Sequence, residues 1–118
     1  MYTSAMMDEA SFRLQSDRAL ESLKQALIDA EEEGGFEAEE KNGVLNVLFE
    51  DGSAKFVFTP QTPVRQVWIS ARTTSFKLDW NEDAAAFVLA KTGETLVRLT
   101  ERLLREQLDD VDIALSTR

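Results

Sequence analysis

Between residues 36 and 90 the chain is a string of short apolar-rich runs separated by tight turn signals, and this leaves few ways to fold. Asn42-Gly43 and Asp51-Gly52 are pairs that accept the positive φ angles of two-residue hairpin turns. The runs around them read as strands: a charge-rich segment over 36–41, suited to a sheet edge, then 44–50 with Leu45, Val47 and Phe49 on one side, then 54–59. Residues 65–70 alternate, with Val67 and Ile69 pointing one way and Gln66, Trp68 and Ser70 the other. Residues 76–80 and 86–90 are two further short runs, and Pro60 and Pro63 read as one turn. Strands joined by tight turns form a meander, hence an antiparallel sheet, here of about five to six strands.

A helix is expected at each end. Over 8–33, Phe12, Ala19, Leu20, Leu23, Leu27 and Ala30 share one face at about 100° per residue, and Gly34-Gly35 stops the run. Leu14 and Ile28 fall on the outer side, so this pattern is imperfect. The last helix starts after Thr92, read as its cap, with Leu96, Leu99, Leu103 and Gln107 facing inward and Arg98, Arg102 and Arg105 facing out, spaced to pair with Glu94, Glu101 and Glu106. Two apolar stripes are most economically buried on one face of the sheet. The expected fold is therefore α+β, a two-layer α-β sandwich in a single domain over 1–118, with its other sheet face open around Gln66 and Trp68. Trp80 lacks polar neighbours of its own parity and reads as core or rim.

With 118 residues and neither Cys nor His, the chain has no thiolate, disulfide, imidazole base or His-bound zinc. Any metal must meet oxygen ligands, which suits hard cations. The net charge of −9 is unevenly placed: residues 1–51 hold 13 acidic and 4 basic side chains, residues 52–118 nine of each. Such an acidic first half disfavours nucleic acid and anionic membrane and favours cations or basic protein surfaces. No apolar run reaches the roughly 20 residues of a membrane span. Residues 1–10 contain Asp8 and Glu9 and no basic residue, unlike a secretory or transit signal.

Asn42-Gly43-Val44-Leu45, Asp51-Gly52-Ser53 and above all Gln61-Thr62-Pro63-Val64-Arg65-Gln66-Val67-Trp68-Ile69-Ser70, followed by Asp79-Trp80 and 92–96, resemble the frataxin family, most of all its bacterial members, over about residues 11–108. The resemblance implies a cytoplasmic protein of iron–sulfur cluster assembly that binds iron, ferrous or ferric, weakly and reversibly. It implies docking on a cysteine desulfurase and a cluster scaffold, as iron donor or regulator. It implies no enzyme, although a weak ferroxidase activity is claimed for parts of the family, and a monomer or an iron-dependent oligomer. Carried onto this chain, the acidic ridge is Asp17, Glu21, Asp29, Glu31, Glu32, Glu33, Glu37 and Glu39, and the sheet-face contact is Gln66, Trp68 and Lys77. Lys24 and Gln25 stand where relatives often carry acids, Arg13 where some bacterial members carry His, Thr59-Pro60 where Asn with a basic residue is usual, and Lys77 where relatives use Arg or His. An open helix face offers one or two oxygens per ion, so affinity should be about micromolar or weaker, with poor selectivity. The alternative is an acidic interaction module that meets a basic partner without metal.

Overall fold

Alternation along each strand buries one side chain in two, and the antiparallel pairing carries that choice across the whole sheet. The structure, a computed structural model, describes residues 7–52, 54–110 and 112–116. Seven strands form one sheet in sequence order: β1 (Phe36–Lys41), β2 (Val44–Phe49), β3 (Lys55–Gln61), β4 (Gln66–Ala71), β5 (Thr74–Asn81), β6 (Ala86–Leu89) and β7 (Glu94–Thr95). Every neighbouring pair is antiparallel. The two-residue β7, beyond the expected five to six strands, arises because Glu94 and Thr95 pair with Leu89 and Val88 before the last helix starts.

Helix α1 (Glu9–Ala30) is capped by Asp8, whose carboxylate accepts the Ser11 amide at 2.7 Å, and ends in a 3-10 turn over Glu31–Glu33. Helix α2 (Leu96–Leu108) is capped by Thr95 and not by Thr92. The Thr92 hydroxyl is taken by the turn that precedes β7, where it accepts from the Glu94 amide and donates to the Glu94 carboxylate. No described helix is long and apolar enough to cross a membrane.

Both helices bury their apolar stripes against one sheet face. The cross-sheet row Leu45, Phe58, Ile69 and Phe76 lies on that face, and Phe12, Leu23 and Leu27 of α1 with Leu99 and Leu104 of α2 are fully buried in the same core. Phe12 meets Phe87 edge to face with ring centroids 5.8 Å apart, joining α1 to β6. Truncating such a ring to Ala costs about 3–5 kcal/mol. Gly35 fixes how closely the two helix ends approach: its φ is +96°, and a Cβ there would lie 2.9 Å from Leu108 Cδ2.

Pro60 is not in a turn with Pro63. It lies in β3 opposite Val67, past the last β2 pair at Leu45–Phe58, so its missing N–H breaks no ladder on that side. Pro63 alone belongs to the following 3-10 turn, Thr62–Val64.

The arginines of α2 pair as their spacing predicts: Arg98 and Arg105 with Glu101, Arg102 with Glu94 and Glu106. Glu101, however, is not on a solvated face. It is 7% exposed, covered by the chain after α2, where Ile113 and Leu115 enter the core. Its Oε2 accepts the Leu115 amide at 2.9 Å, and Arg105 Nε donates to the Ile113 carbonyl at 2.7 Å. Burial pushes the Glu101 carboxyl upward, but the Leu115 amide and then Arg98 and Arg105 outweigh it, and the net shift is downward. Its contribution is therefore full above the ordinary glutamate value of 4.5 and is lost as pH falls through the lower folded value. Glu101→Ala should cost about 2–4 kcal/mol at pH 7 in urea unfolding, and the gap to the parent should narrow as pH drops below that range. A loss under about 0.5 kcal/mol at pH 7, the ordinary size for a surface substitution, would contradict this role.

Candidate functional site

The described acidic side chains of the first half do not form one ridge. On α1, Asp17 and Glu21 are exposed on a shared outer face, and Asp29 is exposed near its end, as is Glu32 in the 3-10 turn that follows. Glu31 is half-buried, and its carboxylate accepts the Ala38 amide at 2.8 Å, tying the helix end to β1. The Glu33 side chain lies outside the described residues. Glu37 and Glu39 leave the set on geometric grounds. Phe36 and Ala38 turn toward the helices, so the residues of opposite parity project from the other sheet face, with Glu37 opposite Leu48 and Glu39 opposite Asn46.

The residue that does join the helix side is Glu40, which is absent from the expected set. It shares the row of Leu45 and Phe58, and its carboxylate reaches Lys24 Nζ at 3.2 Å. Lys24 also pairs with Glu21 at 3.2 Å, and the Gln25 amide donates to the other Glu21 oxygen at 3.0 Å. Lys24 and Gln25 thus occupy both Glu21 oxygens and bridge helix to strand. Parity from Phe36 would have revealed Glu40, since i+4 on a strand returns to the same face.

Among the described residues, no three carboxylates converge to hold a metal ion. The exposed acids fit a hard cation only singly or in pairs, with water in the remaining positions. This favours loose electrostatic attraction over a coordination cage.

The expected sheet-face residues are brought together. Trp68 lies in the row Thr59, Trp68, Lys77 on the face away from the helices, and Gln66 lies in the adjoining row Gln61, Gln66, Asp79. Trp68 Nε1 donates to Gln66 Oε1 at 2.9 Å, and Gln66 Nε2 donates to Asp79 Oδ1 at 3.0 Å. Lys77 Nζ sits 4.7 Å from the centre of the Trp68 ring, a cation–π distance. The indole is half-buried with its N–H satisfied and its ring engaged by a cation, so it is held in place before any partner arrives. Asp79 completes this chain. Only its shared parity with Lys77 would have marked it. Trp80, by contrast, turns to the helix side and packs edge to face on Phe87 at 5.2 Å, a rim position.

A family model described as a frataxin-like domain matches residues 5–110. Two Pseudomonas putida proteins, each named iron-sulfur cluster assembly protein CyaY, are 37% identical over 90 residues, which is 75% of this chain and 81% of theirs. The protein of the same name from Azotobacter vinelandii is 31% identical over 93 residues, covering 77% of this chain and 84% of its own. Among solved structures, the frataxin of Psychromonas ingrahamii superposes with a TM-score of 0.70 at 19% identity, covering 87% of this chain and 93% of its own, a likeness of fold.

The Gln25 amide and then Lys24 hold the Glu21 carboxyl below its ordinary value. Lys24→Gln should move the Glu21 titration upward while leaving it below that value, because the Gln25 bond remains. A carboxylate-detected NMR titration reads this directly; an unmoved Glu21 would mean that the bridge does not persist in solution.

Proposed function

Because the chain belongs to the frataxin-like family, we propose that it acts in iron–sulfur cluster assembly, as an iron donor or as a regulator of a cysteine desulfurase and its scaffold protein. The observation that carries the reading is the fixed Trp68 on the open sheet face, braced by Gln66, Asp79 and Lys77. A rigid aromatic needs little ordering on binding and is the kind of residue that dominates protein interfaces. The role is one of binding and not of turnover. It is played in the cytoplasm by a monomer, or by an oligomer where iron drives assembly.

In this reading iron is cargo. The outer face of α1, with Asp17 and Glu21, and the helix end, with Asp29, Glu31 and Glu32, attract it weakly and reversibly. The same negative potential steers a basic desulfurase surface. Glu37 and Glu39, on the other sheet face beside β2, serve the scaffold side of the encounter and not the iron. A second reading is a metal-independent acidic interaction module. The specific observation in its favour is the dispersal of the carboxylates.

Titration with ferrous iron separates the two readings. Shifts in the amide signals of Asp17, Glu21 and Asp29, with a Kd of about micromolar or weaker, are expected for the first. Their absence leaves the second. Binding to the desulfurase should weaken as salt rises from about 50 to 300 mM, because screening shortens the reach of surface charge. Trp68→Ala should weaken binding to the desulfurase–scaffold complex by about thirtyfold or more, the effect of a hot spot. Unchanged binding in this variant would remove the sheet face from the proposal.

A further inference from the structure

A groove of about 420 Å³ lies on the helix side of the sheet, away from Trp68, between α1, β6 and the first turn of α2. Its floor is apolar, built by Ala19, Trp80, Phe87 and Val97. The charged part of its lining has one sign. Arg18 comes from α1 and Arg98 from α2, and no carboxylate among the described residues lines the groove, although the chain carries a net charge of −9.

These polar groups are also under-used. Arg18 makes no ion pair or hydrogen bond among the described residues, whereas Arg13 five residues earlier pairs with Glu9 and Lys24 pairs twice. Arg98 spends one terminal nitrogen on Glu101 at 3.0 and 3.1 Å and leaves its other side-chain nitrogens unbonded. Gln15, Ser22 and Trp80 are half-buried along the same groove, and their side chains make no hydrogen bond among the described residues. A half-buried indole N–H usually has a partner, as Trp68 does. Ligand sites combine an apolar floor of this size with a few convergent polar groups.

We propose that this groove binds a small organic anion with a flat apolar body. The body lies on the Trp80 and Ala19 floor, and the anionic group meets Arg18 and Arg98. Charge complementarity selects this occupant: a cation would face two guanidinium groups, and a neutral apolar molecule would leave them unanswered. Asp17 and Glu21 share the neighbouring depression with Arg18 and Ser22, and Glu101 holds one Arg98 nitrogen, so attraction for the anion rests on the Arg18 guanidinium and the remaining Arg98 nitrogens at short range. The inference is independent of iron and of the sheet face.

The test is an NMR titration of the full chain with 1-naphthoate, with 1-naphthalenemethanol and acetate as the same body without charge and the same charge without body. The expected result is a saturable shift of the Trp80 indole N–H and of the Arg18, Ser22 and Val97 amides, with a Kd of about 0.1–1 mM. Both controls should bind at least about tenfold more weakly. Arg18→Gln removes an exposed side chain without a partner and should weaken binding about fivefold with the fold intact. The double variant Arg18→Gln/Arg98→Gln should weaken it by more than about tenfold. Lys41→Gln/Lys55→Gln makes the same change in net charge at a distance and should leave Kd within about twofold. The proposal is overturned by the absence of saturation at about 10 mM, by shifts centred away from the groove, by equal binding of the neutral alcohol, or by an equal loss in the lysine variant.

Discussion

One-sided burial of the sheet governs this structure. Each residue of a strand faces the same way as its cross-strand neighbours, so once Phe58 is buried, Leu45 and Ile69 in its row must be buried too. A slip of one residue in any hairpin would turn an entire strand inside out, exposing Phe56 and Phe58 together and leaving the helices nothing to cover. The turns hold that register. Asn42 and Gly43 both adopt positive φ, as the two-residue turn between β1 and β2 demands. The helices follow from the sheet, since their stripes have nowhere else to go.

Much of this was legible in the chain itself. Hairpin pairs and alternation located the strands, and the parity of Gln66 and Trp68 against Val67 and Ile69 placed them on the open face, where they lie. What escaped was set by contacts distant in sequence. Thr95 replaces Thr92 as the cap because a two-residue strand intervenes, and so short a pairing leaves no periodic trace. Pro60 reads locally as a turn former and is tolerated in β3 only because β2 has already ended beside it. Glu101 carries the spacing of a surface ion pair and is buried by residues 112–116, which have no periodicity to announce their packing.

The charges teach a related lesson. Acidic side chains close in sequence around the end of α1 diverge in space, because a helix and a strand distribute successive residues by different rules. Helical order keeps Asp17 and Glu21 on one face, while strand order sends Glu37 and Glu39 to one side of the sheet and Glu40 to the other. Lys24, which interrupts a negative stripe in the sequence, joins the two elements. Net charge alone describes none of this, and the field that a cation or partner meets is set by which carboxylates are already engaged.

The two margins of the sheet share a property. At one stands β1, with Glu37, Glu39, Glu40 and Lys41 exposed along it; at the other stands β7, only two residues long. A strand arriving from another chain would have to bring its backbone against a row of charge at the first and would find almost no ladder at the second. Both are recognised ways of keeping an open sheet from growing. Added strands are thus discouraged along β1 and β7 themselves, and the backbone left open on the β6 side is the stretch of β5 before Asp79, which lies beyond the last β6 pair.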